Sequence, residues 1–526
     1  MKRFTANTVT STLQSPSSIA GPVVVAVLLL SSVSLLLLGV GSPLIALAPL
    51  VLTIGLVLFV WVPTRLQVFA LVSVATAVDP PSGMPQDGQW HSILYPVGRL
   101  LYENLNTLTG VSVLRFSLLE ILLMLMVGRV LLDRPSRRSS NDSASPTPNV
   151  LMWGFGLWFA TMIWLEVFGL LRGGDVRNSL WQIRTLLWLP IVAWLIARVM
   201  RGPNDFVWIA RSIIGAAVVK VTIGLYFLFA IVRPRALTVP YIMTHDDTLL
   251  LVTALFICLA TFAYRQARAH LLLVMTVVPL VLLGIVANDR RIAYVSVFGG
   301  LLILYVYLAP RVRRRVTMLG ILAMPLFVVY LAVGRHRTER VFVPAAKIMS
   351  LVTRSDASSS MRDIENYNLY VTLRAKGRLL GSGFGHKYVE SVVAYDISEQ
   401  FPQYRYIAHN SVLWLWSIAG VIGMSTLWLV LVVGVYFAAR SFRFARSPFE
   451  QTACVSVIAV VFGYLVQCWG DMGSQSWISV WLMGAMLGTA GKLATATGAW
   501  PEQVRLFSKP AMYRTIAPVA PPAPVL

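Results

Sequence analysis

Two adjacent arginines, Arg290 and Arg291, follow Asn288-Asp289 where one apolar run ends and the next begins. A guanidinium is a planar fork of donors that can bond two phosphate oxygens at once. A pair of them at a membrane boundary suits an anion, and the anion natural to that place is a lipid-linked phosphate. The same pair, with Asp289 as partner, also fits side chains snorkelling from a helix end to water. More positive charge lies between residues 334 and 408. There Arg335, Arg337, Arg340, Lys347, Arg354, Arg362, Arg374, Lys376, Arg378, Lys387 and Arg405 are opposed only by Glu339, Asp356, Asp363, Glu365, Glu390, Asp396 and Glu399. Each alone fits the solvated face of an amphipathic helix. Together they form a basic surface suited to a phosphorylated or polyanionic ligand. His409-Asn410-Ser411 comes next, at the start of another apolar run. Its imidazole can cap that helix, or it can take a proton from a hydroxyl near neutral pH. Of the six histidines only His409 joins a helix start to the basic segment, and His386 is its competitor.

Other candidates carry less chemistry. Gly381-Ser382-Gly383-Phe384-Gly385 resembles a phosphate-cradling loop, yet no strand precedes it and no P-loop lysine follows. A tight turn that lets backbone approach backbone is the better reading. His245-Asp246-Asp247 offers metal-compatible groups, but adjacent residues cannot all converge on one ion, so no metal is expected. Lys220 falls near the middle of an apolar run, where an unpaired ammonium is expensive; Glu120 and Glu166 are its candidate partners, in a structural ion pair or, as the alternative, beside a lipid phosphate.

The elements that must hold these groups are membrane helices. Of 526 residues, 57% are hydrophobic and only 13% charged, against roughly a quarter charged in soluble proteins. Apolar runs fall at 19–41, 43–62, 65–78, 114–133, 150–171, 184–200, 206–232, 248–264, 271–288, 292–310, 316–333, 409–439, 451–470 and 476–495. This makes about fourteen spans of the length that crosses a ~30 Å hydrocarbon layer, and the fold class is an all-α polytopic integral membrane protein. The excess of 44 Lys and Arg over 22 Asp and Glu borders the spans and forms no separate basic domain, which excludes a nucleic-acid role. With a retained first span and residues 1–18 inside, the cytoplasmic connections receive Arg134, Arg137 and Arg138; Arg198 and Arg201; Arg265 and Arg268; Arg311 to Arg315; and Arg440, Arg443 and Arg446. The tail, 496–526, then returns to the cytoplasm, and its proline-rich end reads as disordered.

Two outer connections are long, 79–113 and 334–408. A structureless connection of the second length is uncommon, and one that long is normally functional or folded. Within it, residues 359–380 predict an amphipathic helix opened by serines, with Leu369, Val371, Leu373, Leu379 and Leu380 on one face. The three cysteines, Cys258, Cys454 and Cys468, have no paired spacing.

Taken in order, Arg290-Arg291-Ile292-Ala293, Ser359-Ser360-Met361-Arg362, Leu379-Leu380-Gly381-Ser382-Gly383-Phe384-Gly385, and His409-Asn410-Ser411 ahead of Gly420 and Gly423 resemble the O-antigen ligase and polymerase superfamily of bacterial surface-glycan transferases. The resemblance covers about residues 280–430. It implies a C-type glycosyltransferase-like fold of about 12–14 transmembrane helices with one large, partly helical periplasmic loop, set in the bacterial inner membrane with its active site facing the periplasm. It also implies an undecaprenyl-diphosphate-linked glycan donor, a glycan or lipid-linked acceptor, and no cofactor or metal. By that resemblance Arg290 or Arg291 and Arg362 look like the diphosphate ligands and His409 like the group that activates the acceptor hydroxyl or orients the donor. Arg405, His386, Lys387 and Asn410 are the further candidate substrate contacts.

The expected activity is transfer of the oligosaccharide to an acceptor hydroxyl with inversion. Polymerisation of exopolysaccharide or O-antigen repeats is favoured over ligation to lipid A core or protein O-glycosylation. Two readings from other classes stand beside it. A transporter or flippase would carry charges into a central cavity between paired broken helices. A scaffold for a glycan-export complex would tolerate loss of the arginines and the histidine.

Overall fold

The computed structural model of the protein describes residues 61–80, 92–109, 115–132, 146–239, 241–265, 268–337, 339–353, 357–393 and 403–500, with isolated positions at 26–60 and 398. The chain divides into two compact units, residues 1–71 and 72–526. Among the described residues the first contributes little beyond the start of helix α1 (Thr64–Ala77). The second continues with α2 (Tyr95–Tyr102), α3 (Leu105–Thr109), α4 (Leu118–Leu132), α5 (Asn149–Leu171), α6 (Val176–Val199), α7 (Phe206–Tyr226) and α8 (Asp247–Arg265). Then come α9 (Arg268–Asn288), α10 (Arg291–Tyr307), α11 (Pro310–Gly334), α12 (Val343–Thr353), α13 (Ala357–Lys376), α14 (Ser411–Phe444), α15 (Pro448–Gly470) and α16 (Trp477–Ala496). Among the described residues seven helical segments are long and apolar enough to cross a membrane, and shorter apolar helices accompany them. The chain is an all-α, multi-pass membrane protein. Every expected span from residue 65 onward holds a helix; those at 19–41 and 43–62, like the terminal segments 1–18 and 501–526, lie wholly or almost wholly outside the described residues.

A helix apolar on every side belongs at a centre, and α16 takes that place: its residues from Trp477 to Ala494 are all buried. Gly484 and Gly488 let α6 come close, since a Cβ at either would stand 2.7 Å from Val192 or 2.9 Å from Ile196. α8, α14 and α15 complete the interior. Serine caps set the starts of the last two helices. Ser447 and Glu450 form a reciprocal capping box ahead of α15, and Ser476 accepts from Ser479 N–H at α16. At the other extreme α11 has no buried residue through its apolar window.

Three expectations about elements change. α6 begins at Val176, about two turns before the expected 184, because Asp175 caps it and its polar first turns find partners: Ser179 donates to Glu166, and Arg184 pairs with Glu120. The partner expected for Lys220 is thereby corrected. Lys220 is buried in an ion pair with Asp79 and Asp247, while Glu120 and Glu166 are taken up elsewhere. The amphipathic helix of the long connection is also shorter than expected. It ends at Lys376, where Gly377 turns left-handed (φ 98°), so Leu379 and Leu380 fall beyond it and are exposed. Its buried stripe is Glu365, Asn368, Leu369, Thr372 and Leu373, a helical 3–4 spacing that carries polar groups inward.

Residues 378–385 form a strap that closes a break in α14. Gly420 is non-helical (φ 62°), so the flanking backbone groups lose their helical partners. The strap supplies replacements. Ser382 and Gly383 N–H donate to the carbonyls of Ser417 and Ile418, while Val421 and Ile422 N–H donate to those of Arg378 and Leu379. On the other side Phe384 N–H donates to Leu165 O, and a Cβ on Gly169 of α5 would stand 2.1 Å from Phe384 O. The glycines allow three backbones to meet at one place.

Candidate anion and acid–base site

One end of the bundle gathers the residues before α8, the α9–α10 corner, the middle of α13, the residues before α14 and the residue after α15. The α9–α10 corner depends on Asp289, a non-glycine residue in the left-handed region (φ 55°), a conformation that aspartate and asparagine tolerate better than most. Asn288 fixes the corner against the chain ahead of α8, accepting from Met243 N–H at 3.1 Å. Asp289 binds Lys347 of α12 at 2.8 Å. The result places Arg290 at the start of α10, with its guanidinium 4.4 Å above the ring of Tyr241.

Arg290 is the unusual member. Its Nε and Nη2 are buried and have no hydrogen-bond partner among the described residues, and burial pulls its pKa down from the ordinary arginine value. Asp471 opposes that shift and the nearby charge of Arg362 adds to it. Arg362, from α13, makes no hydrogen bond or ion pair among the described residues. Arg291 behaves otherwise: its Nη1 donates to Ser359 Oγ at 3.2 Å, toward the start of α13. Of the two adjacent arginines, Arg290 therefore shares the cluster with Arg362.

Glu365, one turn along α13 from Arg362, links that helix to His409. The Glu365 carboxylate accepts the His409 backbone N–H at 3.0 Å and stands 3.2 Å from Nδ1. With Nδ1 carrying the proton toward Glu365, Nε2 keeps its lone pair. Burial works against the imidazolium, but Glu365 and then Asp471 outweigh it, so the His409 pKa rises above its ordinary 6.5. Asn410, next in the chain, caps α14 by accepting from Leu413 N–H at 3.1 Å, and its buried Nδ2 has no partner among the described residues.

Asp471, at the end of α15, completes the cluster. Its Oδ2 meets His245 Nδ1 at 2.8 Å. Burial alone would raise its pKa, but His245, Arg362 and His409 reverse the effect and hold it well below the ordinary carboxylate range. The ionised carboxylate thus lies within the field of both arginines and both histidines. Asp246, beside it, is pushed up to about 6 by burial, against a bond from Ser476. Among the described residues no three His, Cys, Asp or Glu side chains are grouped to hold a metal ion.

Arg290, Arg362 and His409 are brought together. Arg405, His386 and Lys387 take other partners. Arg405 binds Glu390 at 3.0 Å, His386 Nε2 lies 3.1 Å from Gly169 O, and Lys387 rests over the ring of Tyr406 at 5.2 Å. These three hold the strap and the connection that follows it. Glu365, Asp471 and His245 are functional candidates that sequence reasoning missed in these roles. The only signal for Glu365 was its place one helical turn after Arg362. No family model matches the chain, and no curated protein does.

Proposed function

We propose that the protein is a glycosyltransferase that moves an oligosaccharide from a polyprenyl-diphosphate carrier to an acceptor hydroxyl at the membrane surface. The observation that carries this reading is that Arg290, whose buried Nε and Nη2 have no partner among the described residues, shares a cluster with Arg362 and with His409, whose Nδ1 faces Glu365 and whose Nε2 makes no hydrogen bond among the described residues. Unsatisfied buried donors cost about 1–3 kcal/mol each, and two guanidiniums near one another add repulsion. A diphosphate placed between them relieves both.

The chemistry then follows from charge. The acceptor oxygen attacks the anomeric carbon, the bond from that carbon to the phosphate oxygen breaks, and negative charge grows on the departing diphosphate. Fixed guanidiniums stabilise that charge as it develops. His409 Nε2 takes the acceptor proton, and Glu365 stabilises the imidazolium that forms, a contribution of ~10²–10⁴-fold for a positioned base. Attack opposite the leaving group inverts the anomeric centre. The donor is already activated, so no nucleotide or metal enters the scheme.

Within this class a polymerase of exopolysaccharide or O-antigen repeats is preferred to a ligase acting on lipid A core or on protein. The site faces outward, to the periplasm of a bacterial inner membrane, because the arginine-rich connections 198–201, 265–268, 311–315 and 440–446 belong to the opposite helix ends and mark the cytoplasmic side. The transporter reading gains one broken helix, α14, but the cationic cluster gathers at one membrane surface rather than in mid-membrane. The test is reconstitution with a lipid-diphosphate glycan. A ladder on lipid-linked chains identifies a polymerase and a single addition a ligase. Unchanged product from both Arg362→Ala and His409→Ala, correctly inserted, would overturn the assignment.

A further inference from the structure

The helix ends opposite the candidate site border an open cavity of about 740 Å³, within the usual range of small-molecule sites. Its walls come from the end of α8, the α10–α11 corner, α14 and the start of α15. Tyr264, Tyr307 and Phe442 make a fixed aromatic side. Phe442 packs edge-on against Tyr307 at 4.7 Å and against Tyr264 at 5.9 Å, and Tyr264 Oη donates to Tyr307 O at 3.0 Å. Arg313, Arg440 and Arg443 make the other side, and among the described residues no aspartate or glutamate lines it.

Those arginines have no carboxylate to neutralise them among the described residues. Arg440 is held in place by backbone and phenol: its Nε donates to Ala499 O at 2.7 Å and its Nη1 to Tyr436 Oη at 2.9 Å. Arg313 has only a long contact of 3.5 Å to Val306 O. Glu450, the nearest acid in sequence, uses its carboxylate on the backbone N–H groups of Arg446 and Ser447, at 2.8 and 3.1 Å. A chamber lined by three cations, open beside helix ends and without its own anion, is built for a phosphate. The phosphate present at a membrane boundary is that of a lipid. α11, which begins in the cavity wall at Pro310, presents exposed Val316, Leu319 and Leu322 farther along, an apolar track that acyl chains can follow.

We infer that this cavity binds the phosphodiester headgroup of an anionic phospholipid between Arg313, Arg440 and Arg443, with the glycerol against Tyr307 and Phe442. The site lies at the far ends of the helices from the cluster around His409 and needs no glycan, so its test is independent of the proposed activity.

The experiment uses the full-length protein in detergent, with lipid adducts counted by native mass spectrometry and unfolding followed by heating. The wild type retains phosphatidylglycerol at least about tenfold over phosphatidylcholine, and phosphatidylglycerol raises its unfolding midpoint. Arg313→Gln combined with Arg443→Gln lowers retention of phosphatidylglycerol by about tenfold or more. Equal retention of the two lipids by the wild type overturns the proposal without recourse to any variant. So does protection by millimolar inorganic phosphate that matches phosphatidylglycerol, which would make the ligand a free anion, or full retention by the double variant.

Discussion

Replacing Arg290 with methionine separates what this residue does for transfer from what it does for the fold. The side chain buries Nε and Nη2 without partners among the described residues and stands near the charge of Arg362. Methionine keeps the apolar stem and removes both liabilities. Releasing two unsatisfied donors gains about 2–6 kcal/mol together, and losing the cation–π contact with Tyr241 forfeits about 0.5–2 kcal/mol, so the resting protein is expected to gain up to about 5 kcal/mol and not to lose stability. Transfer moves the other way. Removing a preformed donor from a developing charge costs about 2.7–4 kcal/mol, or 10²–10³ in rate. Stability is read by heating with a thiol-reactive dye, since Cys258, Cys454 and Cys468 are buried and free and become labelled only as the bundle opens. Rate is read with a lipid-diphosphate glycan at saturating acceptor. An R290M protein that unfolds earlier than wild type and loses transfer in proportion refutes the reasoning, because Arg290 would then be a structural residue. Wild-type transfer in R290M refutes it equally.

Three other outcomes follow from the same geometry. His409 must be neutral to accept a proton, and its raised pKa places the acid limb of the rate profile above pH 6.5. Glu365→Gln keeps an oxygen for Nδ1–H but removes the charge, so the limb moves to lower pH and the plateau falls; an unmoved limb in a pH–rate series would detach Glu365 from His409. On α5, Gly169→Ala forces a Cβ to 2.1 Å from Phe384 O, and overpacking of this kind costs about 1–3 kcal/mol or more. Gly156→Ala on the same helix meets nothing within 4 Å and serves as the control; equal melting of the two variants would remove the strap's role. Transfer by purified protein persists in chelator, and restoration only by an added divalent ion counts against the arginine mechanism.

The helices were legible from residue 65 onward because hydrocarbon thickness dictates their length, and Arg290, Arg362 and His409, picked out by residue type, are candidates that the packing brings into one cluster. Their partners were not. Lys220 could be seen to need an acid, but span assignment alone does not give depth or facing, and Asp79 and Asp247 met it while Arg184 claimed Glu120. Asp471 follows a span end about sixty residues after His409, and only the packing of α14 on α15 brings it into the cluster. His245 drew notice for metal chemistry and is instead the hydrogen-bond partner of Asp471. The face of α13 was misjudged at its end because Gly377 stops the helix before Leu379.

The proposed transfer requires Arg290 and Arg362 together to hold a lipid diphosphate. A cryo-electron microscopy map of the protein with undecaprenyl diphosphate in nanodiscs tests this most directly. Phosphate density bridging the two guanidiniums is expected, with the polyprenyl chain running into the bilayer and His409 Nε2 facing the outer phosphate. Diphosphate density seated away from both arginines, with their side chains unchanged from the free protein, would contradict it.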